Sequence, residues 1–488
     1  MKAAAAAILW AALAVSASAQ PPAASSPLPP SPLPPRRAVA DQGTPLLSPA
    51  LIANADRLRD EAMKGDDVAY DVLEGLTTEI GPRPAASEAE HRAAEWMAAK
   101  MKALGFQNVH LEPFAMTARV RGVETAEVTA PFPQRLVITA LGGSVATPPD
   151  GIEAEAVVFK TYDELLAAPV GSLTGKIAVV TQPMPRTGDG SGYGMSYQIR
   201  GLGPSEAARR GAVAYLLRSL ATDSHRLPHT GALAYLPGVP QIPAAALSVP
   251  DAEQIDRIAA RGKPIRLHLI LTPTLRPGAT SYTVVGDVVG RERPDEVVLI
   301  GGHLDSWDLG TGAIDDGAGD AITIAAAKLI MDLPQHPRRT VRVALFGAEE
   351  VGVSNLSFAA AHPAAEQAKM VVASECDFGA DHIYAIGLPK GAAGSSFGRT
   401  LGRVVAPIGT YISPETPRDA GADLENLVGV PLAGLAQDGT RYFDLHHTAD
   451  DTLDKIDKAQ MNQNVAAWAA FAYLAADSDV DFRALAKP

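Results

Sequence analysis

The chain reads as an α/β fold: a mixed, mainly parallel sheet with helices on both faces, interrupted by an inserted second module. Three observations predict it. From Ser281 onward, short apolar strand-like runs alternate with helical runs, the pattern of a sheet buried on both faces. Residues 142–272 keep a strand–helix rhythm of their own, broken by Pro- and Gly-rich loops. A length of 488 residues also exceeds one ordinary domain, so two folded units are expected.

Each element follows from a local signal. Lys2, the apolar stretch Ala3–Val15 and the small residues Ala17-Ser18-Ala19 are the three parts of a signal peptide, assigned to residues 1–19. The apolar stretch is shorter than the roughly 20 residues a membrane-spanning helix needs. Cleavage and export are therefore expected, giving a periplasmic or secreted protein with no stable membrane insertion. Residues 20–48, rich in Pro, Ala and Ser, read as an extended tether. The main module takes residues 49–141 and 273–488. In its first part Ser87 caps a helix with Glu90 three residues on, a capping-box pattern. Ala93, Met97, Met101 and Leu104 then recur at helical spacing, and Gly105 ends the run. In the insert, Ala154–Phe159, Lys176–Val180, Ala212–Leu217 and Ile265–Leu271 are strand-like, whereas Ser205–Arg210 and Asp251–Ala260 are helical. Beyond Ser281 come strands at Val297–Ile300, Val341–Phe346 and Met370–Ala373. Helices follow at Asp316–Met331, Ser354–Ala361 and, last, Ala459–Ala475.

Composition excludes some partners. An apolar content of 47% supplies a large core, and a formal charge of −13 with no basic block argues against nucleic acid. Cys376 is the single cysteine, so no internal disulfide forms; it reads as a small buried residue.

Ligand-type residues gather in the second part of the main module. His303 with Asp305, Asp315 with Asp316, Glu349 with Glu350, Asp377, and His447 beside His446 follow in that order. Singly each is ordinary: Asp-Asp-Gly is a turn, Glu-Glu a solvated helix start, a lone histidine structural. However, His303, the glutamate pair and Asp377 each come just after an apolar strand, and open α/β sheets bind ligands beyond the carboxyl ends of their strands. Jointly they suit two neighbouring zinc ions with one carboxylate left over for protons, which predicts amide hydrolysis. His303 is expected on one zinc, with Asp305 holding its other ring nitrogen. Asp315 is expected to bridge. One of Glu349 and Glu350 should bind metal while the other takes a proton from water and returns it to the leaving amine. Asp377 and one of the two adjacent histidines complete the ligand set.

The motifs Gly302-His303-Leu304-Asp305-Ser306-Trp307-Asp308, Ala313-Ile314-Asp315-Asp316-Gly317-Ala318-Gly319, Ala348-Glu349-Glu350, Ser374-Glu375-Cys376-Asp377 and Tyr442-Phe443-Asp444-Leu445-His446-His447-Thr448 with Asp451-Thr452 resemble the co-catalytic zinc aminopeptidase family. The likeness runs from Ile80-Gly81-Pro82-Arg83 to the final helix. It includes the insert, where Pro228-His229-Thr230-Gly231 and Val239-Pro240-Gln241-Ile242-Pro243 resemble a protease-associated domain. The resemblance implies a first zinc held by His303 and Glu350, a second held by Asp377 and His447, Asp315 between them, and Glu349 as general base. The family pattern of His, Ser or Thr, two residues, then Asp selects His447 over His446. A cis peptide after Asp315, action on dipeptides or unblocked N-terminal residues, and a homodimer are implied as well. The stretch Asp423–Pro431 is compressed and is expected to line the substrate pocket; His229 either faces the cleft or is a structural loop histidine.

Three rivals stand beside this expectation. A neighbouring metallopeptidase or deacylase class shares the ligand order, but its bridging Asp lies further beyond the first His and its extra domain follows the Glu-Glu. A one-zinc acyltransferase resembling glutaminyl cyclase has no need of all five ligand positions. A catalytically dead binding protein should have lost ligands or the base, and none is missing.

Overall fold

The computed structural model describes residues 45–65, 68–417 and 420–487, so the expected signal peptide and nearly all of the tether lie outside the described residues. The central five-stranded sheet runs, in spatial order, Gln107–Val120, Thr274–Val288, Arg339–Phe346, Arg293–His303 and Met370–Glu375. The last three strands are parallel to one another, while the first two pair antiparallel with their neighbours. The sheet is therefore mixed but not mainly parallel. Apolar periodicity marks a strand without giving its direction, and the long ribbon of Gln107–Val120 with Thr274–Val288 brackets the insertion as an antiparallel pair.

Two-residue alternation covers both faces of this sheet. Val298, Ile300, Val343 and Leu345 join one buried cluster with helices Ala318–Met331 and Lys458–Asp477. Val297, Leu299, Ala344 and Phe346 point the other way and pack with Phe358, Leu424 and Leu427. Helix Ala318–Met331 is apolar almost all round because it is wedged between the sheet and helix Lys458–Asp477. Among the described residues no helix is long and apolar enough to cross a membrane.

The early helix spans Glu88–Leu104. Ser87 accepts the Glu90 N–H at 3.1 Å, and Gly105 ends the helix with φ 103°. Glu90 does not close the expected box. Its carboxylate is buried and turns outward, accepting the Ala86 N–H at 2.6 Å and the Ser281 hydroxyl hydrogen at 2.5 Å. The cap is spent on joining the helix to the ribbon.

A second sheet of eight strands lies between Glu124 and Leu271 in sequence. Its centre is a parallel run of Ile152–Phe159, Ile177–Val180, Ala214–Arg218 and Ala244–Leu247. Its edges draw in Glu124–Ala130, Gln134–Leu136 and Ile138–Ala140, upstream of the change of rhythm at Gly142. The run Ala244–Leu247 is too short and alanine-rich to announce itself as a strand. One face packs with helix Val249–Ala259 through Ile255 and Ile258. The other forms a cluster that includes Ile314, Tyr442, Phe443 and Leu445 of the main module. The insertion is thereby packed against the two loops that carry Asp315 and His447.

Trp468 is fully buried in the cluster shared by both helices and the sheet. Trp468→Ala is expected to cost about 3–5 kcal/mol, read as a lower denaturant midpoint.

Candidate metal centre

Three parallel strands end at one edge and deliver side chains there. His303 closes its own strand, Glu349 and Glu350 follow the strand Arg339–Phe346, and Asp377 follows Met370–Glu375. Asp315 comes from the loop before helix Ala318–Met331, with φ −129° and ψ 90°, and the Asp315–Asp316 peptide is cis. His447 comes from the loop after Leu445. Ala348 and His447 adopt the left-handed region with φ 63° and 62°, a conformation that costs roughly 1–2 kcal/mol in a residue with a Cβ. Both positions adjoin or carry candidate ligands, where such strain tends to collect.

Asp315 sits between the two histidines. Its Oδ1 lies 3.1 Å from His303 Nε2 and its Oδ2 lies 3.2 Å from His447 Nε2. His303 Nε2 is also 3.4 Å from Asp377 Oδ1, and His447 Nε2 is 2.9 Å from Glu350 Oε2. The opposite ring nitrogens settle where the protons are. His303 Nδ1 faces the backbone carbonyl of Asp305 at 3.0 Å, and His447 Nδ1 faces that of Thr230 at 3.3 Å. A carbonyl only accepts, so each Nδ1 carries hydrogen, and in the neutral ring each Nε2 presents a lone pair. A lone pair aimed at a carboxylate oxygen repels it unless positive charge, carried by a proton or a metal ion, lies between them. Asp315 Oδ2 and Glu350 Oε1 are also buried without a hydrogen-bond partner, as metal-ligating atoms would be. The donor set therefore fits divalent cations.

The ligand-type atoms form two groups that share Asp315: His303 with Asp377, and His446 with His447. Glu350 adjoins the second group through His447. This corrects the pairing implied by the resemblance, which put His303 with Glu350 and Asp377 with His447. The distances decide it, since His303 Nε2 lies 3.4 Å from Asp377 Oδ1 and His447 Nε2 lies 2.9 Å from Glu350 Oε2. His446 stacks on His447 at 3.4 Å between ring centres, and its Nε2 lies 3.7 Å from Asp315 Oδ2. His447 is thus the nearer of the two.

Charges in the site push against one another. Burial opposes ionisation of His303, but Asp377, Asp305 and Asp315 outweigh it and hold the imidazole well above its ordinary value. Burial likewise disfavours the Asp315 carboxylate, yet the imidazoles of His303 and His447 beside it keep it well below the usual range. Burial lowers both His446 and His447. Glu349 and Glu350 are raised well above the usual range, first by burial and then by neighbouring carboxylates that outweigh the pull of His303.

Asp305 reaches the site differently from expectation. Its carboxylate is 3.7 Å from His303 Nδ1, and its backbone carbonyl makes the closer contact. The carboxylate Oδ1 instead accepts the Glu349 N–H at 2.9 Å. Asp305 therefore orients His303 through its main chain and Glu349 through its side chain. Glu349 lies at the rim, with Oε2 4.0 Å from His303 Nε2 and its side chain 19% exposed. Cys376 is buried, as read from sequence. Asp423 is also buried rather than facing an open pocket: its N–H donates to Glu375 Oε2 at 3.0 Å. His229 is buried within the insert, 3.4 Å from Asp223 Oδ1.

Sequence reading left several supporting residues without a role. Asp316 accepts the His303 N–H at 3.0 Å and the Gly319 N–H at 3.1 Å, tying strand end to helix start. Gly302 makes that approach possible, because a Cβ there would collide with Asp316. Arg83, fully buried, donates to the carbonyls of Leu304, Thr311 (2.7 Å) and Gly312 (2.9 Å), bridging the His303 and Asp315 loops. Asp451 accepts the Ile314 N–H at 2.6 Å and the Asp315 N–H at 3.3 Å. Burial, then Asp315, push its carboxyl up to about 7. Arg83 and Asp451 both lie in the quoted motifs. The carbonyl of Thr230 carried no signal in the sequence, since any residue has one.

A fold and site of this kind define a metallopeptidase. Residues 283–472 match the model of peptidase family M28. Carboxypeptidase Q of Bos taurus is 38% identical over 421 residues, covering 85% of this chain and 86% of that protein. Carboxypeptidase Q of Homo sapiens is 36% identical over 423 residues, covering 85% and 87%. Among solved structures, a peptidase M28 precursor from Shewanella amazonensis superposes with a TM-score of 0.86 at 45% identity, covering 88% of this chain and 98% of that one. BSAP, a zinc aminopeptidase from Bacillus subtilis, shares the fold with a TM-score of 0.61 at 19% identity, covering 85% and 95%. The chain belongs to peptidase family M28 and is a metallo-exopeptidase.

Asp451→Ala leaves two buried N–H groups without an acceptor and is expected to cost about 1–3 kcal/mol in a denaturant titration. Asp451→Asn, which keeps one carbonyl acceptor, should lose less.

Proposed function

We propose that the protein is an exported dizinc exopeptidase that splits dipeptides or removes N-terminal residues from short peptides. The observation that carries this is Asp315, with one carboxylate oxygen facing each of two imidazole lone pairs. His303 and Asp377 would hold one zinc and Glu350 and His447 the other, with Asp315 shared. Nitrogen and oxygen ligands of this kind suit zinc. When bound, zinc lowers the pKa of water to about 7 and polarises the scissile carbonyl.

The chain's own residues supply the rest. Glu349 takes a proton from the attacking water at its carboxylate and returns it to the amine that leaves. Burial raises its carboxyl above the usual carboxylate range, which makes it a stronger proton acceptor than a solvated glutamate. The Asp305 carboxylate fixes the Glu349 backbone, so the base keeps its distance from His303. Arg83, Asp316 and Asp451 hold the backbone of the ligand loops. The relatives named carboxypeptidase Q support a substrate cut near a terminus. The insertion, read as a protease-associated domain, packs against Tyr442 and Phe443, near His447 in the chain. The N-terminal signal-peptide pattern supports export to the periplasm or medium.

Glu349→Ala is expected to lower kcat by about 10²–10⁴-fold with zinc content nearly intact. Wild-type kcat in that variant would refute the base assignment. Dialysis against a chelator should remove activity on dipeptides and aminoacyl-anilides. Added zinc should restore it, and metal analysis of the native protein should give two zinc ions per chain. A stoichiometry near zero in the native, active protein would sink the dizinc reading.

A further inference from the structure

The turn that carries Glu349 leans on a second buried acid, Glu90, from the first turn of helix Glu88–Leu104. Ser281 of the ribbon donates its hydroxyl to Glu90 Oε1, and the Ala86 N–H donates to Oε2 at 2.6 Å. Oε1 also lies against Gly347. A Cβ on that glycine would stand 2.7 Å from Oε1 and 2.5 Å from the Tyr282 carbonyl oxygen, so only glycine lets the carboxylate come this close to the turn. The next residue, Ala348, donates its N–H to the same carboxylate. One residue further on, the Glu349 N–H donates to Asp305 Oδ1 at 2.9 Å. Two buried carboxylates thus take consecutive N–H groups of one turn.

This arrangement is unfavourable in two respects. Ala348 is left-handed, with φ 63°, although it carries a Cβ. Glu90 and Asp305 are also two acids held near each other in the interior. Burial first, and Asp305 next, raise the Glu90 carboxyl well above its ordinary value. The helix start does not call for such a neighbour, since Ser87 already accepts the Glu90 N–H. Strain and buried charge that stability does not require collect where a side chain has to be aimed. The far side of the turn is pinned by other bonds. The Val353 N–H donates to the Ala348 carbonyl at 3.1 Å, and the Gly352 N–H donates to the Glu349 carbonyl at 2.6 Å.

Resting on the reading of Glu349 as general base, we propose that Glu90 is a positioning residue for it. By holding the Ala348 N–H, Glu90 keeps Ala348 left-handed and so keeps the Glu349 carboxylate directed at the metal ligands. Without that acceptor Ala348 relaxes toward an ordinary φ, and the rotation carries the Glu349 side chain away from His303. Glu90 acts through the backbone alone.

The test measures kcat, KM, zinc content and melting temperature of the zinc-loaded protein with leucyl-leucine as substrate. Glu90→Ala should lower kcat about tenfold or more, the scale of one hydrogen bond to a charged group, with KM within about twofold and zinc content unchanged. Glu90→Gln, which keeps the reach and a carbonyl acceptor, should recover part of that loss. Ser87→Ala removes the cap of the same helix and should lower the melting temperature while leaving kcat within about twofold. In a Glu349→Ala background, Glu90→Ala should cost less than about twofold further, because the base it serves is gone. Where Glu90→Ala does not fold, Glu90→Asp, which withdraws the carboxylate by one methylene, takes its place. Unchanged kcat, a loss that tracks lost zinc, or the same loss with and without Glu349 would overturn the proposal. Wild-type kcat in Glu349→Ala defeats the base reading instead, and hydrogen exchange then decides the role of Glu90 without turnover. Faster exchange of the Ala348 and Glu349 amides in Glu90→Ala, but not in Ser87→Ala, supports its hold on the turn. Equal exchange in both variants and wild type overturns it.

Discussion

Two imidazole lone pairs and the carboxylate between them organise this molecule. Asp315 faces His303 with one oxygen and His447 with the other, and neither contact is stable in the neutral rings without positive charge between the atoms. The proton on each Nδ1 is committed to a backbone carbonyl, so the rings cannot turn the repulsion into a hydrogen bond by changing tautomer. The preference for a cation is thus written into main-chain positions as much as into the side chains themselves.

Holding that arrangement takes a large part of the fold. Parallel strands bring His303, the glutamate pair and Asp377 to one edge. Arg83, Asp316 and Asp451 then lock the loops by bonding to backbone groups rather than to the ligands. Left-handed Ala348 and His447 add local strain that the surrounding core must absorb. Burial alone would neutralise most of these acids. A site crowded with them is consistent with a protein whose folded state includes bound metal.

The insertion is more than an attachment. One face of its sheet packs with Ile314, Tyr442, Phe443 and Leu445, the residues beside Asp315 and His447. Its Thr230 carbonyl fixes the His447 ring, and its Gly142 packs on Trp307, whose ring lies 5.5 Å from that of His447. Movement of this module would therefore be felt at a metal ligand.

How much of this was legible beforehand differs by kind of feature. The strands at Val297, Val341 and Met370, the capped helix ending at Gly105 and the candidate ligand residues announce themselves through periodicity, caps and residue chemistry. The direction of the ribbon strands was not legible, because alternation is the same for parallel and antiparallel pairing. Ala244–Leu247 was missed because three alanines and one leucine carry no strand signal. The partition of the ligands followed which side chains approach each oxygen of Asp315, which no linear spacing encodes. Asp305 was found, but its division between a carbonyl for His303 and a carboxylate for Glu349 depends on atoms that share one residue name. Sequence by itself determined which chemistry is available, since imidazole and carboxylate ligands are properties of residue type. Only the tertiary structure decided which ligand stands beside which, because that depends on distances between segments far apart along the chain.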